Sequence, residues 1–200
     1  MLVATRDPRR ADGLAAALRA LGLAPERACS PQHEVDDRLA ALVLDEFPPA
    51  GTLRVMADTI ARRPAFPILV LGPVAPVLEP LVALASGAAG YLPAGTPAGA
   101  VGTAVCSLLD GDVVLPSSVA AALVRGLRCS GRGVVLERDD GAPLVLTQRE
   151  WEVLVLLRQG RSTAEIAARF VVATGTVRTH VSTIVRKLGA DGRASVAPAG

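Results

Sequence analysis

Four short apolar runs constrain this chain more than any other feature: Leu2–Thr5 (LVAT), Ala41–Leu44 (ALVL), Pro67–Gly72 (PILVLG) and Gly90–Leu92 (GYL). None alternates apolar with polar residues, so each predicts a strand covered on both faces. Between them lie Ala- and Leu-rich segments with helical periodicity. RRADGLAAALRALG places Leu14, Ala17, Leu18 and Leu21 on one face, and TLRVMADTIARR, APVLEPLVALASGA and PAGAVGTAVCSLLDG follow. Such alternation predicts a doubly wound α/β domain with a parallel sheet over residues 1–126, ending in the helix LPSSVAAALVRG. The C-terminal strand edge is the functional edge of these sheets. Asp45, in ALVLDEFPP, stands at that edge.

Composition narrows the chemistry. Half of the 200 residues are hydrophobic but only 2% are aromatic, so the core must be built from Ala, Val and Leu. Cys29, Cys106 and Cys129 are widely spaced, no CxxC occurs, and there are two histidines. That pattern predicts buried thiols in a reducing cytoplasm and argues against metal or redox work. Arg6, Asp7, Arg9 and Arg10 interrupt any apolar leader, and prolines and glycines break the uncharged stretch Pro80–Leu109. No membrane association is expected. With no GxGxxG, P-loop, GxSxG or metal-ligand cluster, neither an enzyme nor a cofactor is expected. A phosphatase holding magnesium on Asp7 and Asp45 is the weak enzymatic alternative.

Residues 127–143 mix glycine with charge and predict a linker. From Thr147 onward eight basic residues face four acidic ones, a net +4 against −2 for the remainder. A basic end of this kind suits a polyanion. Two capping boxes, Thr147 with Glu150 and Ser162 with Glu165, predict two helix starts. The third helical segment, TGTVRTHVSTIVRKLG, sets Val177, Val181, Ile184, Val185 and Leu188 on one face. Arg178, Thr179, Ser182, Thr183 and Arg186 lie on the other. The polar face suits entry into a major groove, where Arg reads guanine and Thr or Ser reaches base edges or phosphates. On pattern alone it suits a solvated surface equally well.

The stretch LTQREWEVLVLLRQGRSTAEIAARFVVATGTVRTHVSTIVRKLGA resembles the DNA-binding domain of LuxR-type regulators. The resemblance implies a helix-turn-helix over residues 144–200 that binds double-stranded DNA as a homodimer and addresses the transcription machinery. By position, it sets Arg178, Thr179 and Ser182 toward bases or nearby phosphates. Thr174, Thr176 and Lys187 fall to the DNA backbone, with His180 a contact or a packing residue at the groove rim. Ala173 stands where the family has a capping serine, a loss of about 0.5–2 kcal/mol unless Thr174 takes over. The family's fourth helix is expected to be short here, because Pro198 follows soon.

An α/β domain ahead of such a helix-turn-helix resembles a response regulator. The resemblance makes Asp45 the phosphoacceptor position, with Pro49 four residues on. The rest of the family's pocket is missing: Thr5 and Arg6 replace the acidic pair, Gly72 the Thr or Ser, and Pro93-Ala94 the Leu-Lys. Lys187 is the chain's sole lysine. We therefore expect a vestigial acceptor and a pseudo-receiver, with Arg6 pairing with Asp45 and a small-molecule effector or simple dimerisation as the input. A conventional phosphorylated regulator using Asp45 and a sigma-factor-like promoter-recognition protein are the alternatives.

Overall fold

The structure is a computed structural model and describes residues 1–5, 7–28, 39–45, 50–74, 78–128, 134–137 and 143–189. The N-terminal domain comprises β1 (Leu2–Thr5), α1 (Pro8–Ala20), β2 (Glu26–Ala28), β3 (Leu42–Asp45) and α2 (Ala50–Arg62). It continues through β4 (Ile68–Gly72), α3 (Leu78–Ala85), β5 (Gly90–Pro93) and α4 (Ala98–Leu109). The five strands are parallel, in the order β2-β1-β3-β4-β5. The chain leaves β1 outward to β2 and returns on the other side to β3. This reversal opens a crevice at the C-terminal ends of β1 and β3.

The unalternating strands behave as their composition requires. Val3, Val43, Leu69 and Leu71 pack on one face against Leu14, Leu18, Val101 and Val105 of α1 and α4. Leu42, Leu44, Ile68 and Val70 pack on the other against Leu53, Met56, Leu81 and Val82 of α2 and α3. Burying each such side chain contributes about 1.5–3 kcal/mol. Leu21 departs from its expected place: it caps α1 and is largely exposed, while Ala11 and Ala15 complete the buried stripe. Cys106 is half-buried, not core; Cys29 and Cys129 lie outside the described residues. The strand β2 was not expected, since Glu-Arg-Ala carries no apolar run and pairs on one side only.

After α5 (Ser117–Arg128) the expected linker carries a strand. β6 (Val134–Glu137) pairs antiparallel with β7 (Pro143–Leu146), and Leu136, Leu144 and Leu146 bury themselves in the core. Three helices follow: α6 (Gln148–Arg158), α7 (Thr163–Phe170) and α8 (Thr174–Leu188). Leu154, Ile166, Val177 and Ile184 form their centre. No helix among the described residues is long and apolar enough to cross a membrane.

The two domains are docked through α3 and α6. Arg158, 4% exposed, places Nη2 2.6 Å from Glu79 Oε2. Gln159 Nε2 donates to Ser86 Oγ at 3.0 Å, also buried. Two more exposed pairs cross the junction, Arg161 with Asp58 at 2.9 Å and Arg54 with Glu165 at 3.2 Å. Burial pushes the Glu79 carboxyl up, and Arg158 opposes that shift without cancelling it.

Candidate nucleic-acid interface

Both expected capping boxes form. Thr147 and Ser162 each accept from the backbone of the glutamate three residues on, and each glutamate accepts in return. Gly160 closes α6 with φ +75°, a conformation open to glycine without strain. The turn into α8 is less relaxed. Val171 caps α7 at φ 55°, ψ 48°, a left-handed conformation that a β-branched residue adopts only under strain.

The apolar face of α8 is inward: Val177 and Ile184 are fully buried, and Val181, Val185 and Leu188 pack beside them. The opposite face is exposed apart from Thr183, which is half-buried. Thr174, Arg178, Ser182 and Arg186 are all exposed, and their four-residue spacing aligns them in one stripe along the helix. Thr176 and Thr179 are exposed beside it, and His180 is half-buried. Among the described residues neither Arg178 nor Arg186 has an ion-pair partner. Thr179 Oγ1 donates to Gly175 O at 3.1 Å.

The ends of α8 differ in how they are held. Ala173 is the N-cap and no side chain caps the helix, so Thr174 does not take over that role. Lys187, expected on a DNA backbone, is 30% exposed and also makes contacts within the domain. Its Nζ lies 2.6 Å from Glu150 Oε2 and 3.0 Å from Val145 O, tying the end of α8 to β7 and the start of α6. Burial tends to raise the Glu150 carboxyl, but hydrogen bonds from Lys187 and from the Thr147 backbone bring it below the usual range. The segment expected to hold a short fourth helix lies outside the described residues.

The second candidate site is the crevice at the strand ends. Thr5 and Asp45 are register partners in the parallel pair β1–β3, so both side chains reach one edge. Thr5 Oγ1 donates to Asp45 Oδ2 at 3.1 Å, and Arg10 Nε donates to Oδ1 at 2.7 Å. Arg10 Nη2 also reaches Thr96 O, at 3.2 Å, spanning the crevice to the loop before α4. Both carboxylate oxygens are therefore engaged. Asp7, a weak candidate for magnesium, instead caps α1 by accepting from Arg9 N. Arg6, Phe47 and Pro49 lie outside the described residues.

The sequence reading did not find Arg10, although a signal existed. Arg10, Leu14 and Leu18 fall at i, i+4 and i+8, so the arginine heads the buried stripe of α1 at the level of the sheet edge. It also missed Glu79 with Arg158, and Glu150 with Lys187. Each of these pairs joins distant segments.

Comparison with known proteins follows the same division. The signature described as bacterial regulatory proteins, luxR family, matches residues 144–198. Response regulator RamR of Streptomyces coelicolor is 37% identical over 107 residues, 54% of this chain and 46% of that protein. The DNA-binding transcriptional activator DevR/DosR of Mycobacterium tuberculosis is 31% identical over 157 residues, 78% of this chain and 69% of its own. The chain spans about half the length of several curated relatives it matches. Among solved structures, the response regulator ChrA of a heme-sensing two-component system aligns with 98% of this chain and 92% of its own. Its TM-score is 0.50, at 26% identity. The chain belongs to the luxR family of bacterial regulatory proteins, with a response-regulator-like α/β domain ahead of the helix-turn-helix.

Proposed function

We propose that this chain is a sequence-specific DNA-binding transcription regulator that works without phosphorylation of Asp45. The observation that carries the reading is the exposed stripe of α8, with Thr174, Arg178, Ser182 and Arg186 facing solvent while the domains are docked. Arg178, Thr179 and Ser182 meet bases or nearby phosphates, and Thr174, Thr176 and Lys187 meet the DNA backbone. The protein acts as a cytoplasmic homodimer on paired half-sites and addresses the transcription machinery. Residues 1–126 form the control domain and 144–200 the DNA-binding domain.

Phosphate independence is supported by the state of Asp45. Phosphoryl transfer to a carboxylate brings two anions together and needs cations to offset their repulsion. Here Thr5 stands in place of an acid, and the chain's sole lysine is held in the other domain. Arg10 engages the carboxylate itself. The input is then a small molecule or dimerisation through the α/β domain.

Genomic DNA selection with the purified chain tests the DNA reading. Wild type is expected to enrich a defined set of sites and Arg178→Ala to lose that selectivity. Equal enrichment by both would refute the base-contact assignment. Intact mass after incubation with acetyl phosphate and magnesium tests the second part. A phosphoryl adduct that disappears in Asp45→Asn would overturn it.

A further inference from the structure

We propose that the cleft between the two docked domains binds a small planar aromatic anion. The proposal rests on the phosphate-independent reading only for its role as an input; the site stands on its own geometry. The cleft has a volume of about 720 Å³, within the range of pockets that enclose small organic ligands. Ile60 and Leu84 form one wall, from the α/β domain; Trp151, Leu156 and Phe170 form the other, from the DNA-binding domain.

Three observations point to the occupant. Aromatic residues are scarce: the chain has one tryptophan, one tyrosine and three phenylalanines. Both aromatics of residues 144–200, Trp151 and Phe170, line this cleft, and each is only half-buried. The Arg149 guanidinium stacks on the Phe170 ring at 4.0 Å, so Trp151 offers the ring surface to a flat apolar body, with the small side chains of Ala57 and Ala61 also lining the cleft. The second observation is charge. The acids that line the cleft are already neutralised, Asp58 by Arg161 and Glu152 by Arg149. Arg169, also lining the cleft, has no acidic partner among the described residues, so the unbalanced charge is positive.

The third observation is position. Gln159 and Ser86, which line the cleft, and the neighbouring pair Arg158–Glu79 join the two domains. An occupant touching both walls finds its full site only when the domains are docked, so its binding favours the docked arrangement. Ligand concentration would thereby set how rigidly the helix α8 is presented.

The experiment is calorimetric titration of the full chain with naphthoate, a planar aromatic carboxylate, beside naphthylmethylamine, its cationic counterpart. Emission from Trp151, the single tryptophan, reports the cleft directly. Naphthoate is expected to bind one per chain with a Kd on the order of 1 mM or tighter, to shift Trp151 emission and to raise Tm. The amine should bind about tenfold more weakly. Ala61→Phe, at an exposed helical position that tolerates the larger ring, should abolish binding; Arg169→Gln should weaken it about tenfold. Absence of naphthoate binding overturns the proposal. So does equal affinity for acid and amine, or unchanged binding in Ala61→Phe with a native circular dichroism spectrum. A phosphoryl adduct at Asp45 would defeat the phosphate-independent reading and leave the titration result intact, so the two failures are separable.

Discussion

Replacing Arg10 by alanine should destabilise the α/β domain more than replacing Asp45 by asparagine, although both break one ion pair. The Asp45 side chain is 6% exposed and that of Arg10 25%. Without Arg10, the carboxylate stays buried with a single hydrogen bond, from Thr5 Oγ1. Breaking a fully buried pair costs about 3–5 kcal/mol, and an exposed one contributes about 0–1. The quarter exposure of Arg10 lets water reach the site, which places Arg10→Ala at about 2–3 kcal/mol. Asp45→Asn keeps a group able to accept from Thr5, and the freed guanidinium can turn toward solvent, so its cost is about 1 kcal/mol. For a chain of this length these values correspond to Tm losses of about 4–12 °C and 2–4 °C. The double variant should cost less than the sum by about 1–2 kcal/mol, because removing the second partner relieves the first loss. Urea unfolding followed by circular dichroism measures all four corners of the cycle. Equal costs for the two single variants, or additivity within about 0.5 kcal/mol, would refute the reasoning.

Other consequences follow from the same geometry. Val171 is 90% exposed and left-handed, so Val171→Asn loses no packing and relieves about 1 kcal/mol of strain, raising Tm by about 2–4 °C by differential scanning fluorimetry. Arg158→Ala leaves Glu79 without its cation at the domain junction. It should cost about 3–5 kcal/mol in equilibrium unfolding, whereas Arg158→Met with Glu79→Leu should recover most of that loss. Glu150 has a lowered folded pKa, so its contribution is present above the ordinary glutamate value of about 4.3 and is lost as pH falls through the folded value. Urea midpoints should therefore fall more steeply on acidification in wild type than in Glu150→Gln.

What was legible in the sequence is what short-range physics decides. Unalternating strands declared a sheet covered on both faces, because a strand's face pattern is set by its own neighbours two residues away. The capping boxes of Thr147 and Ser162 and the two faces of α8 were legible for the same reason, since a helix brings together residues three and four apart. The edge strand β2 and the hairpin β6–β7 were not, because short strands gain their stability from pairing with another segment. Asp45 could be placed at a strand end from its run of apolar neighbours, but its partner could not. Arg10 meets it across 35 residues of chain, Lys187 meets Glu150 across 37, and Arg158 meets Glu79 across 79. Such ion pairs leave no periodic mark. They depend on which elements pack together, and only the tertiary structure decides that.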